Sequence, residues 1–212
     1  MHKDKSPIWK RWLVLAAWPP ELVKLHRLLK KDPPRTHLVI RVAGVGLVEA
    51  AIGATTAIAE KRPDAVLFLG TAGSYPNRRP DLALAGVVAA RRLVLWADGL
   101  ATGDAYLPPA LPAAQVTTLA LRRRAVAAGM LLADVACPLA ISARPTRTSN
   151  CDVENLEAFA VARAAATAGI PFIAILGISN TVGPMAHAEW KRNAARAAAA
   201  ACGAALDVIN AR

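Results

Sequence analysis

Short runs of leucine and β-branched residues alternate along this chain with longer Ala-rich stretches. The short runs predict strands over 12–18, 37–43, 65–69, 86–95, 137–143 and 172–178, the fourth interrupted by charges. The long stretches predict helices over 48–60, 119–128, 153–168 and 186–210. The runs 65–69 and 172–178 carry no polar position on either face, so both strands belong in the middle of a sheet that helices cover on two sides. The expected fold class is therefore α/β, a three-layer α/β/α arrangement with a mixed central sheet. It spans residues 11–212 as one domain behind a loose tail at 1–10, with loops at 75–80 and 97–112.

Composition narrows the class. The chain has 212 residues, 55% of them hydrophobic and 19% charged, which excludes a disordered protein. A chain of this size can bury roughly 70% of its unfolded surface in a single core. Cys137, Cys151 and Cys202 are an odd, widely spaced set without a C-x-x-C pair, so the sequence encodes neither a disulfide framework nor a cysteine zinc knuckle. No cofactor or metal is expected, since no His/Cys/Asp cluster suggests one. The apolar run from Leu13 to Trp18 stops at Pro19-Pro20, short of a signal peptide's core, and no apolar stretch approaches the ~20 residues that span a bilayer. The expectation is a cytoplasmic protein without a membrane partner.

The net charge of +11 raises the question of polyanions. Basic residues cluster at Lys3–Arg11, Lys24–Arg35, Arg78-Arg79, Arg91-Arg92 and Arg122–Arg124. In sequence these clusters are scattered, without an aromatic-interleaved stripe or a basic heptad helix, so no specific nucleic-acid partner is expected.

Sheets of this kind bind ligands beyond the carboxyl ends of their strands, here at 18–21, 44–48, 70–74, 143–150 and 179–183. Gly44-Val45-Gly46 invites a dinucleotide reading, but the third small residue of that motif falls on Glu49, a carboxylate that would face the pyrophosphate. Gly70-Thr71-Ala72-Gly73-Ser74 offers backbone groups to a flat ligand, or is simply a sharp turn. Glu154 and Glu157, at i and i+3, share a face of the predicted helix over 153–168; a capped first turn explains Glu154 better than Glu157. Asn180, at the end of the last strand, can donate and accept at once, as reading a carbonyl beside a ring nitrogen requires, or can form an Asx-turn. Glu21 is either a base or a first-turn helix carboxylate.

Together these pieces resemble the purine nucleoside phosphorylase and nucleosidase superfamily, in the branch of methylthioadenosine/adenosylhomocysteine nucleosidase and futalosine hydrolase. The resemblance runs from about residue 12 to the C-terminus through Pro20-Glu21, Gly44-Val45-Gly46, Pro63-Asp64 leading into Gly70–Gly73, Val153–Ala160, and Gly169-Ile170-Pro171 leading into Ile178-Ser179-Asn180. Glu154-Asn155-Leu156-Glu157, Ile178-Ser179-Asn180 and Val182-Gly183 followed by Trp190 lean toward futalosine hydrolase. The resemblance implies N-glycosidic cleavage of a purine nucleoside, a 6-oxopurine such as futalosine, with Glu21 and Asn180 as catalytic residues. It further implies ribose binding by Leu156 and Glu157, base binding by Thr71, Ala72, Gly73 and Asn180, and a homodimer or higher oligomer. The stretch Ala16–Pro20 lacks the Gly-rich, Arg-flanked phosphate loop of the phosphorylases, which favours water as the nucleophile.

Overall fold

The computed structural model describes residues 9–76, 78, 82–141 and 150–211. Its strands are β1 (Arg11–Ala16), β2 (His37–Val42), β3 (Ala65–Ser74), β4 (Val87–Trp96), β5 (Ala114–Val116), β6 (Leu131–Pro138), β7 (Val153–Glu154) and β8 (Phe172–Thr181). The helices are α1 (Val23–Lys31), α2 (Leu47–Lys61), α3 (Asp98–Thr102), α4 (Leu119–Ala127), α5 (Ala158–Thr167) and α6 (Ala186–Asn210).

Because successive strand side chains point to opposite faces, each central strand feeds two cores. Leu13 and Leu15 of β1, Val66 and Phe68 of β3 and Leu176 of β8 pack under α2 and α5. Trp12 and Val14, Leu67 and Leu69, and Ile173 and Ile175 of the same strands pack under α1, α4 and α6. This is the three-layer α/β/α arrangement with a mixed sheet: β1 lies parallel between β2 and β3, and β8 runs parallel to β3 and antiparallel to β4. The sheet also curls on itself. β3, β8, β4, β6 and β7 pair in a closed circuit, with the two residues of β7 bridging β6 to the end of β3. Alanine lets the helices approach closely, and a Cβ at Gly177 would collide with the Ala197 carbonyl of α6.

The elements depart from the sequence expectation where tertiary partners decide. The stretch Gly70–Ser74, expected as a strand exit or turn, remains in the sheet because β8 follows it to Thr181, with a register shift after Ala72. The expected helix over 153–168 begins only at Ala158; Val153 and Glu154 are taken by β3 and β6 instead. Glu154 and Glu157 therefore do not share a helix face. The strand expected over 137–143 is β6, from Leu131 to Pro138, set by its parallel pairing with β4; residues 142 and 143 lie outside the described residues. Charges do not interrupt β4, since a bulge turns Arg91 and Arg92 onto Asp134 at 2.8 and 3.0 Å. Trp9, expected in the tail, is buried edge-on against Trp12 beneath the Arg124 guanidinium, so ordered packing begins inside the span 1–10. Helix α1 and the short β5 and α3 had no counterpart in the expectation; α3 takes up Asp98–Thr102 of the expected loop 97–112, and the rest of that loop is irregular.

Candidate active site

The carboxyl ends of β1, β3 and β8 meet the start of α5 and α6 around a cavity of about 340 Å³. Glu21, Thr71, Ala72, Gly73, Leu156, Glu157 and Asn180 all line it, although the sequence spreads them over most of the chain. The segment 143–149 and the residues Asn77 and Arg79–Asp81, singled out as further strand ends or loops, lie outside the described residues.

Glu21 reaches the cavity because Pro19 and Pro20 turn the chain just after β1 into a 3₁₀ turn, Pro19–Leu22, that tucks the carboxylate inward. It is 7% exposed. Its Oε2 accepts the Ala17 N–H at 3.1 Å and its Oε1 the Thr71 N–H at 3.2 Å, so one side chain fastens the exit of β1 to β3. Burial, joined by the charge of Glu157, outweighs these donors and pushes the Glu21 carboxyl up to about 8. A carboxyl with that value can take up or give up a proton near neutral pH.

Glu157 stands at the start of α5 with Oε1 accepting the Gly46 N–H at 2.9 Å, across the cavity's floor from β2's exit. Burial raises its pKa too, opposed by that same N–H. Its position depends on Asn155. The Asn155 Oδ1 accepts the N–H groups of Glu157 and Ala158 at 3.0 and 2.8 Å, satisfying donors that a helix start leaves open. The Asn155 Nδ2 donates to the Thr71 carbonyl at 2.9 Å, tying α5 to β3. Glu154 also lines the cavity, and its Oε2 accepts the Tyr75 hydroxyl at 2.9 Å.

Asn180 is oriented rather than loose. The Ser179 hydroxyl donates to its Oδ1 at 2.8 Å, and its Nδ2 donates to the Thr181 carbonyl at 3.3 Å. That amide nitrogen lies over Gly73, where an added Cβ would come within 2.7 Å of it; the glycine is needed for clearance, not for a turn.

Three rings complete the wall. Trp190 of α6 stacks between Trp18 and His187, with centroids 5.9 Å from each, and its Nε1–H donates to the Thr71 hydroxyl at 3.3 Å. Trp190 was singled out in the sequence; Asn155, Ser179, Trp18 and His187 were given no role. Asn155 followed by the start of an apolar helix is a cap signal that could have been read, whereas Trp18 and His187 meet only through the fold. Among the described residues no three His, Cys, Asp or Glu side chains converge as a metal site requires.

The chain belongs to the phosphorylase superfamily, whose family model matches residues 24–210. Its fold is that of several solved nucleosidases. The 5'-methylthioadenosine/S-adenosylhomocysteine nucleosidase of Helicobacter pylori superposes with a TM-score of 0.85 at 16% identity, covering 96% of this chain and 99% of that one. The Neisseria meningitidis enzyme of the same name gives 0.82 at 19% identity, with 96% and 100% covered. The futalosine hydrolase of Helicobacter pylori gives 0.83 at 16% identity, with 95% and 98% covered. By sequence, no curated protein matches significantly.

Proposed function

We propose that this protein is a nucleosidase that hydrolyses the N-glycosidic bond of a purine nucleoside, and that the base is a 6-oxopurine of the futalosine type. The observation that carries the reading is the convergence of two buried carboxylates, Glu21 and Glu157, with the oriented amide of Asn180 in one cavity. Cleavage builds positive charge on the ribose and negative charge on the leaving base. Glu157 binds the ribose hydroxyls, and its hydrogen bonds strengthen as the sugar becomes cationic; Leu156 packs beside it. Glu21 orients the attacking water and takes its proton. Thr71, Ala72 and Gly73 offer backbone edges to the base, while Asn180 reads the base without supplying a proton to it.

Water rather than phosphate as the nucleophile is supported by the cavity wall, which among the described residues holds no Arg or Lys. The family's name makes phosphorolysis the second reading. A nucleoside panel followed by chromatography tests both: free ribose and base without phosphate are expected, and a phosphate-dependent ribose 1-phosphate product would overturn hydrolysis. The reading extends to a homodimer, supported by the exposed Val45, Val48 and Ile52 beside the cavity mouth. It extends also to the cytoplasm, supported by three buried cysteines that form no disulfide; no described helix is long and apolar enough to cross a membrane.

A further inference from the structure

Two of the basic clusters that look scattered in sequence, at 24–35 and 122–124, fall on one layer of the fold, where Lys191, Arg192 and Arg196 join them. Helices α1, α4 and α6 cover the same face of the sheet, with α6 packed against both of the others. These three carry ten Lys and Arg against two Asp and Glu, whereas α2 and α5 on the opposite face carry two of each.

The excess is at the surface. Lys24, Arg27, Lys30 and Lys31 of α1 are exposed, because Leu25 takes the buried side of that helix. Arg192 and Arg196 of α6 are exposed opposite its buried Ala197 and Ala201, and Lys191 is exposed near its N-terminus. None of the ion pairs Arg11–Asp64, Lys61–Glu60 and Asp134 with Arg91 and Arg92 involves these seven residues of α1 and α6. Arg27 with Lys31, and Arg192 with Arg196, are like charges one helical turn apart, an arrangement that costs helix stability unless an anion bridges it.

We propose that the α1/α6 face is a docking surface for the phosphate backbone of a nucleic acid, bound without regard to base sequence. Two observations select this partner over a lipid surface. An interfacial helix needs a continuous apolar stripe on the same side as its cations, but the stripe of α1, Leu25, Leu28 and Leu29, is spent on the core, which leaves Val23 alone exposed among the apolar residues of that helix. The cations are also spread over two packed helices as a broad, polar plate, which suits a row of phosphates and offers no side chain to read base edges.

The test is fluorescence anisotropy of a labelled duplex of about 20 base pairs, titrated with the full-length protein at several salt concentrations. Binding should weaken roughly 250- to 4,000-fold between about 50 and 200 mM salt, with a logarithmic slope of about −4 to −6, and unrelated sequences should compete equally. The quadruple variant Arg27→Gln, Lys31→Gln, Arg192→Gln, Arg196→Gln should lower that slope by about 3 to 4. The pair Lys61→Gln, Arg163→Gln on the opposite layer should leave it unchanged. A flat salt dependence of the wild-type protein would overturn the proposal even if the quadruple variant failed to fold. So would equal losses in both variants, or binding to vesicles of one-third anionic lipid with none to the duplex.

Discussion

β3 and β8 change character halfway along their length. Over Ala65–Leu69 and Phe172–Leu176 every residue is apolar and buried, and side chains fill both cores. Over Gly70–Ser74 and Gly177–Thr181 the same paired strands carry glycine, serine, threonine and asparagine among their residues, and Thr71 holds Glu21 and Asn155 through its backbone and Trp190 through its hydroxyl. The first halves contribute stability and leave no room for chemistry. The second halves give up packing for polar positions, which is tolerable only because each buried polar group described above has a partner.

That division predicts opposite outcomes at the two ends. Leu67→Ala should cost about 2–5 kcal/mol of stability in urea unfolding, yet leave kcat/KM of the folded protein within about twofold; a large activity loss would show that the halves are not separable. Glu157→Gln should do the reverse, lowering kcat/KM at least ~10²-fold with little change in the unfolding midpoint. A wild-type rate in that variant would remove the ribose assignment.

Glu21 sharpens the contrast further, because its carboxyl is raised to about 8 by burial. The folded protein then holds a proton there that the unfolded chain gives up near its ordinary value of 4.5. Stability should therefore fall as pH rises from about 4.5 to 8, and Glu21→Gln should remove that fall, on the order of 5 kcal/mol, while abolishing most turnover. If Glu21 is the base, kcat/KM of the wild-type protein should climb through the same window; a flat profile would count against that role. The smallest effect is expected at Asn180, where a 6-oxopurine nucleoside should be preferred over its 6-amino counterpart about tenfold. Asn180→Asp should narrow or reverse the preference, measured as kcat/KM on matched substrates.

The same division governs how much could be read from the sequence. The apolar halves announce themselves: no polar residue breaks 65–69 or 172–178, so strands covered on both faces follow directly, and the long Ala-rich run of α6 ends within its expected bounds. Glu21, Glu157 and Asn180 could be singled out because carboxylates and amides at strand ends are scarce in so apolar a chain. What could not be read was set by contacts distant in sequence. Val153 and Glu154 look like the start of a helix until β3 and β6 claim them as a strand. Gly70–Ser74 looks like a turn until β8 runs alongside. The basic layer of α1, α4 and α6 was visible only as the separate clusters at 24–35 and 122–124, since nothing local places these helices on one face of the sheet.

The short β7 has a consequence for when this protein becomes competent. It joins Gly73 and Ser74 to Glu154 and Val153, partners some eighty positions apart, and it offers only two residues of pairing to offset the entropy of closing so long a loop. Contacts of that kind form late in folding, after local helices and the better-matched neighbours β1 and β3. Asn155 and Glu157 follow immediately behind β7, so their placement waits on the same event. The catalytic geometry is therefore expected to be completed only when β7 pairs, later than the local contacts of the sheet.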